Sequence, residues 1–231
     1  MNLRRNAKLA LVATALLSSA AGASTNLIVN GSFEDISSDP GIQHVANGSW
    51  SVLSVLPGWT TTFGAGIEVR RNVAGAAQNG VQFVELDSHS SIAGKPASYN
   101  SNSSMAQSVT TASGQRYTLS FWYSPRPGTA AMGSDTNDLG VYWNGAQLGG
   151  TLTGVNNSGS NQWQQYTYTV VGHGLDILSF SALGKQDTYG GSLDNVSLIT
   201  AVPEPDRLAM LLVGLGMLGT VARRRQQASA R

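Results

Sequence analysis

Short runs in which apolar and polar residues alternate make up the middle of the chain, and this pattern favours β structure. From Tyr117 to Tyr123 every second residue is apolar, so these side chains share one face of an extended strand. Val141-Tyr142-Trp143 leads directly into Asn144-Gly145, a dipeptide typical of two-residue hairpin turns. Helical periodicity is missing from this part of the sequence. We therefore predict an all-β fold, an antiparallel β-sandwich.

Other segments share this short length and are separated by turn-forming or polar residues. The further predicted strands are 27–29, 81–86, 164–170, 177–183 and 193–199. The Ser- and Asn-rich stretch 88–104 and the stretch 128–137 are predicted to be long loops. Trp59, which follows Pro57-Gly58, is predicted to lie in the core.

The first 23 residues have the three parts of a secretory signal peptide. Arg4, Arg5 and Lys8 precede an apolar run over 9–17, and small residues follow as far as Ala23. We expect signal peptidase to cleave after Ala23 once the secretion machinery has exported the chain. The whole sequence contains no cysteine, so thiol chemistry and disulfides are excluded.

The C-terminal end combines a rigid motif, an apolar run and a basic tail. Pro203-Glu204-Pro205 is predicted to be extended and accessible, because each proline blocks helix propagation. Residues 208–222 carry no charge and predict a single, short transmembrane helix. Three arginines follow at 223–225, which places this end in the cytoplasm and the preceding domain outside it.

This tripartite end resembles a PEP-CTERM sorting signal. The resemblance implies a Gram-negative bacterium that makes extracellular polysaccharide, and an exosortase, a membrane transpeptidase, that removes the tail. The protein would be anchored transiently in the inner membrane and then reach the cell surface or the medium. An ordinary single-span anchor stays the alternative. The predicted processing residues are Ala23, Pro203, Glu204, Pro205, Arg223, Arg224 and Arg225.

The predicted domain organisation is a signal peptide (1–23), a β-sandwich (24–199), a linker (200–207) and an anchor with its basic tail (208–231). Eight of the 14 Lys and Arg residues lie in the terminal segments, but only two of the 13 acidic residues do. The exported domain therefore carries six basic and 11 acidic residues, a net charge of −5. This charge argues against nucleic-acid binding and is compatible with cations.

Four motifs in order resemble the galactose-binding-like jelly roll of carbohydrate-binding modules and DUF642-like extracellular proteins. They are NLIVNGSFED (26–35), LPGW (56–59), FVELDS (83–88) and TYGGSLDNVSLI (188–199). The resemblance implies a structural calcium held by Glu34, Asp194 and backbone carbonyls near Gly31. The alternative is that the two carboxylates cap a turn and a strand. Asp194 alternates with Val196 and Leu198, which predicts that it points inward.

Aromatic residues outside the core are the candidates for a sugar-binding surface, because sugars stack on aromatic faces. The candidates are Trp50, Trp122, Tyr142, Trp143, Trp163 and Tyr189. Trp122 lies opposite the apolar face of its strand, which predicts exposure, and we expect the same of Trp143. For each aromatic residue, a place in the core or at its rim stays open. The predicted ligand-binding residues are Trp122, Trp143, Arg126, Asp87 and Tyr189.

Three functions remain: a non-catalytic carbohydrate-binding protein of the surface or biofilm matrix, a structural or adhesive matrix protein, and a hydrolase. The hydrolase is the weakest, and we predict no catalytic residue. Asp87-Ser88-His89 is no triad, because adjacent strand residues point to opposite faces, and no G-x-S-x-G motif occurs. A binding protein should expose at least two aromatic residues on one sheet, whereas a structural protein should bury them.

Overall fold

A computed structural model describes residues 25–38 and 44–201. The predicted signal peptide, the processing residues and the predicted transmembrane helix lie outside the described residues. Within those residues no helix has the length and hydropathy of a membrane-spanning segment.

The described chain folds into two antiparallel six-stranded sheets. Sheet A has the strand order β1-β4-β5-β12-β7-β10, and sheet B has the order β2-β3-β6-β11-β8-β9. Two 3-10 turns, Ala130–Met132 and Ser134–Asn137, precede β8. The strands are β1 Ser49–Leu53, β2 Val55–Leu56, β3 Trp59–Phe63, β4 Ile67–Arg71, β5 Phe83–Glu85, β6 Ser104–Thr110, β7 Arg116–Ser124, β8 Leu139–Trp143, β9 Ala146–Gln147, β10 Gln164–Val171, β11 Leu175–Ala182 and β12 Ser192–Thr200. The predicted all-β sandwich is confirmed.

The core lies between the sheets and is built by the alternating residues of the strands. Tyr117, Leu119, Phe121 and Tyr123 are all buried, as the alternation on β7 predicts. Phe121 meets Phe180 of the opposite sheet edge to face, with ring centroids 5.2 Å apart. Trp59 is fully buried, so the predicted core position is confirmed.

The hairpin from β8 to β9 has the predicted two-residue turn. Trp143 pairs with Ala146, and Asn144 and Gly145 both have positive φ, at 52° and 79°. Positive φ at both central positions is the type I′ geometry that matches the strand twist.

The strand predicted at residues 27–29 is wrong. The backbone of Val29 forms two hydrogen bonds with the amide side chain of Gln107. The Val29 N–H donates to Gln107 Oε1 at 2.8 Å, and Gln107 Nε2 donates to the Val29 carbonyl at 3.0 Å. A buried side chain therefore takes the place of a neighbouring strand, which sequence alternation cannot show.

The predicted inward orientation of Asp194 is also wrong. The register of β12 against β7 shifts between Asp194 and Ser197, and Asn195 has a positive φ of 50°. This bulge breaks the alternation. Asp194 consequently pairs with Trp122 on the outer face of sheet A, away from the core.

Candidate functional site

The outer face of sheet A carries charged side chains that are fully buried. In β4, Ile67 and Val69 belong to the core, so the alternating Glu68 and Arg70 point outward. Glu85 of β5 lies beside Glu68 in register. The loops after β5 and before β12 cover these groups, because His89 and Gly190 donate backbone N–H groups to the two carboxylates.

Arg70 joins the two carboxylates. Its Nη2 lies 2.7 Å from Oε1 of Glu68, and its Nη1 lies 2.7 Å from Oε2 of Glu85. Arg126 adds a second cation, with Nη1 3.3 Å from Glu85 Oε2 and 2.9 Å from the Thr188 carbonyl. We call this the ion network; it comprises Glu68, Arg70, Glu85, Arg126 and His89.

The ion network ends in an exposed aromatic side chain on each side. His89 Nδ1 lies 3.2 Å from Glu68 Oε2, and its ring stacks on Trp50 with centroids 4.4 Å apart. At the other end, Arg126 Cζ lies 4.4 Å from the ring centroid of Tyr189. Trp50 is 39% exposed and Tyr189 is 40% exposed. Each ring therefore contacts a side chain that is bonded to a buried carboxyl group.

A cavity of about 540 Å³ opens beside Trp50. It combines a large aromatic surface with hydroxyl groups and an imidazole, the composition expected of a site for a small polar ligand. We call it the Trp50 pocket; its lining residues are Trp50, Val52, Ser54, Ala65, His89, Ser90 and Ser91.

Three of the predicted ligand-binding residues come together at the Tyr189 end of the ion network. Asp87 Oδ2 accepts the backbone N–H of Tyr189 at 3.1 Å, and Arg126 lies over the Tyr189 ring. Asp87 is 1% exposed, so it holds the Tyr189 loop and is not itself accessible to a ligand. Trp122 lies elsewhere on the outer face and is half-buried.

The predicted exposure of Trp143 is wrong. Its side chain follows Leu139 and Val141 on the inner face of β8 and is 6% exposed. Its indole N–H donates to the Val171 carbonyl at 2.9 Å, so both the ring and its polar atom are already satisfied.

The residues predicted to hold calcium meet at the loop 72–82. Asp194 Oδ2 accepts the N–H groups of Gln78 and Asn79 at 2.8 and 2.9 Å. Glu34 Oε1 accepts those of Val81 and Gln82 at 2.8 and 2.7 Å, which leaves Oε2 for another ligand. Gly31 has no side chain, and its backbone carbonyl already accepts the N–H of Val196.

The two carboxylates carry negative charge that no lysine or arginine of the described residues pairs with. Burial raises the pKa of Asp194 to about 7, and the nearby charge of Glu34 contributes to the increase. Asp194 Oδ1 also accepts the N–H of Asn195 at 2.6 Å, so three backbone N–H groups bind this carboxyl group, whereas Glu34 is exposed. Within the described chain, no group of three or more His, Cys, Asp or Glu residues could hold a metal ion.

Sequence reasoning named Trp50 among the candidate aromatic residues but missed the ion network and the contact between Trp50 and His89. Glu68 and Arg70 alternate with Ile67 and Val69, a pattern that indicates a charged face in solvent. The alternation places them correctly on the outer face. Their burial depends on loops distant in sequence, which only the three-dimensional structure reveals.

Residues 201–226 match the PEP-CTERM protein-sorting motif. This match confirms the resemblance of the C-terminal end to a PEP-CTERM sorting signal. Such signals mark exported proteins of Gram-negative bacteria. No curated protein is significantly similar to this chain in sequence.

Carbohydrate-binding modules are among the solved structures similar to this fold. CBM35 from Paenibacillus barcinonensis is 16% identical, with a TM-score of 0.38 over 67% of this chain and all of that module. The K1 adhesin domain of Lys-gingipain from Porphyromonas gingivalis is 16% identical, with a TM-score of 0.47 over 67% of this chain and all of that domain. The Stig cyclase Fisc from Fischerella sp. TAU is 15% identical, with a TM-score of 0.49 over 78% of this chain and all of that protein. No residue role is transferred from these proteins.

The buried carboxyl of Glu85 makes stability depend on pH. Burial raises its pKa from 4.5 to about 8, against the opposing effect of Arg70 and Arg126. The folded protein thus binds this proton more tightly than the unfolded chain does. We expect the free energy of unfolding, measured in a chelator, to fall as pH rises from about 5 to 8, by up to about 1.4 kcal/mol per unit.

Urea denaturation at several pH values measures this dependence. Asp194, whose pKa is also raised, adds to it in the same direction. In Glu85→Gln the slope should be shallower, since that group no longer titrates. An equal slope in both proteins would contradict the assignment.

Proposed function

We propose that this chain is an exported, non-catalytic protein that binds extracellular polysaccharide at the Trp50 pocket and is processed at its C-terminus by an exosortase. The sorting motif at residues 201–226 supports the export and the processing. The observation that carries the binding function is the exposed Trp50 ring, which stacks on His89 and lines the pocket with it.

The geometry of Trp50 suits a sugar ring. An indole face stacks on the C–H face of a sugar, while nearby hydroxyl groups and imidazole nitrogens bond to its hydroxyl groups. The contact between His89 and Trp50 holds the indole in one orientation before a ligand arrives. Such preorganisation reduces the entropy lost on binding.

The state of the nearby carboxyl groups supports a non-catalytic role. A glycosidase needs two carboxyl groups that reach the sugar across a cleft. Glu68 and Glu85 are fully buried and are both bonded to Arg70. Neither can reach a ligand in the Trp50 pocket without breaking the ion network.

A structural calcium ion at Glu34 and Asp194 belongs to this proposal. Glu34 Oε2 and the Asp194 carboxylate would hold it, and the ion would neutralise their charge. It would fix the loop 72–82 against β12, because both carboxylates already bond that loop.

A structural or adhesive matrix protein without a sugar ligand is the second candidate. The burial of tryptophan favours it: Trp59 and Trp143 are buried, and Trp122 and Trp163 are half-buried. The two candidates therefore differ in whether the exposed rings of Trp50 and Tyr189 bind a sugar.

Affinity electrophoresis in gels containing the exopolysaccharide of the producing strain tests the binding function. We expect the wild-type protein to be retarded and Trp50→Ala to bind at least about tenfold more weakly, since stacking energy is lost. Phe63→Ala is the matched control, because Phe63 is an exposed aromatic residue on sheet B. An unretarded wild-type protein would favour the structural candidate.

Processing is tested by the intact mass of the extracellular protein from cells with and without the exosortase. We expect a product that lacks residues 1–23 and the C-terminal tail only when the enzyme is present. A tail retained in both strains would make the protein an ordinary anchored sandwich.

A further inference from the structure

A second group of oxygen atoms lies where β5 ends, away from Glu34 and Asp194. Asp87 and Asn102 form an isolated antiparallel bridge. The flanking bonds run from Ser88 N to Ser101 O, 2.8 Å, and from Ser103 N to Leu86 O, 2.6 Å. This is the non-hydrogen-bonded type of pair, in which opposing side chains are closest. The side chains of Asp87 and Asn102 are therefore neighbours on one face.

Three oxygen atoms at this bridge are buried and have no hydrogen-bond partner among the described residues. They are Asp87 Oδ1, Asn102 Oδ1 and Ser101 Oγ. Asp87 is 1% exposed and Ser101 is fully buried. Asn102 uses its amide N–H on the Gly184 carbonyl at 2.7 Å, so the atom left over is an acceptor. Asp87 Oδ1 and Asn102 Oδ1 are acceptors only, whereas the Ser101 hydroxyl can also donate to the Asp87 carboxyl. A buried acceptor without a donor is costly, and the Asn102 oxygen beside the Asp87 carboxyl requires an explanation.

A second carboxylate adds negative charge to the same place. Asp87 Oδ2 accepts the backbone N–H of Asp187 at 3.1 Å, and Asp187 Oδ2 accepts the Thr136 hydroxyl at 2.9 Å. Burial raises the pKa of Asp87 to about 6 against the lowering effect of the Ser101 hydroxyl, and contact with the Asp187 side chain also raises it.

No basic side chain of the described residues neutralises this pair. Lys185 pairs with Asp135 at 2.9 Å, and Arg126 is bonded to Glu85 and to the Thr188 carbonyl. The site thus presents only oxygen atoms and excess negative charge, which is the ligand chemistry of a hard divalent cation.

We propose that Asp87, Asn102, Ser101 and Asp187 form a buried calcium site. The site is separate from Glu34 and Asp194, since the two share no residue. Calcium there would tie the loop 86–103 to the loop 183–191. Because Asp87 also accepts the N–H of Tyr189, the ion would fix the exposed aromatic ring at that end of the ion network.

Calcium titration of the chelator-treated protein from the culture medium tests the site. Isothermal titration with Ca²⁺ and sensitised Tb³⁺ emission are the two measurements. We expect Asp87→Asn to lose one bound ion and Asp194→Asn to keep it. Asp35→Asn, at an exposed carboxylate, is the control and should match the wild type.

Melting temperatures separate a lost ion from a damaged fold. Without metal, we expect Asp87→Asn to be at least as stable as the wild type, because an uncompensated carboxylate is gone. With Ca²⁺, the wild type should gain more stability than the variant does. If Asp87→Asn does not fold, Ser101→Ala, which removes one ligand, should bind this ion at least tenfold more weakly.

Two results would overturn the proposal. One is an equal calcium-dependent shift of the melting temperature in the wild type, Asp87→Asn and Ser101→Ala. The oxygen atoms would then be bridged by a water molecule or a shared proton and not by an ion. The other is a wild-type protein that binds no ion beyond those lost in Asp194→Asn.

Discussion

Arg70→Met is expected to lower the free energy of unfolding by about 3–5 kcal/mol, because it leaves the buried Glu68 without a guanidinium partner and Glu85 with Arg126 alone. Arg70 is 1% exposed and lies 2.7 Å from both Glu68 and Glu85. Burial of Glu68 and Glu85 prevents water from replacing the guanidinium. Urea denaturation at pH 7 measures the loss.

Two further variants test the cause. Arg116→Met removes an exposed arginine and should change stability by less than about 0.5 kcal/mol. Adding Glu68→Gln and Glu85→Gln to Arg70→Met should recover part of the loss, since no buried ionisable carboxyl group is then left without Arg70. A loss below about 1 kcal/mol in Arg70→Met would mean that the ion network does not hold these loops.

Gly31→Ala is expected to cost about 3 kcal/mol, through overpacking against the bulge of β12. A Cβ on Gly31 would overlap the Val196 carbonyl oxygen and lie 3.2 Å from Ile28 Cγ2. The Val196 carbonyl cannot move freely, because the N–H of Val196 is bonded to the Gly31 carbonyl. The N-terminal segment would therefore separate from β12.

Gly150→Ala is the matched control for this substitution. No atom lies within 4 Å of a Cβ built there, so the change in stability should stay within about 0.5 kcal/mol. Thermal unfolding of both variants measures the difference. Equal stability of Gly31→Ala and Gly150→Ala would contradict the tight contact.

Local patterns predicted the strands whose signals lie within one short segment. The face of β7 follows from alternation alone, and the turn at Asn144-Gly145 follows from the φ angles that those residues tolerate. The sandwich could be predicted because several such strands recur without a helix between them.

The candidate site could be predicted only in part, because its contacts cross between distant segments. Asp87, Arg126 and Tyr189 were named and do lie together, yet their partner Glu85 was not named. The bulge at Asn195 reversed the direction of Asp194, and no periodicity signals such an inserted residue. Trp50 was one of the candidate aromatic residues but not one of the predicted ligand-binding residues, because its environment depends on His89, a loop residue 39 positions later in the chain.

The most direct test of the proposed function is the indole N–H spectrum of the protein, labelled with 15N-tryptophan and titrated with exopolysaccharide fragments. The five tryptophans give five signals. We expect the Trp50 signal to shift and those of Trp59 and Trp143 to stay in place, because the latter two rings are buried and their N–H groups are bonded. Saturable binding that leaves the Trp50 signal unchanged would show that the polysaccharide does not bind at the Trp50 pocket.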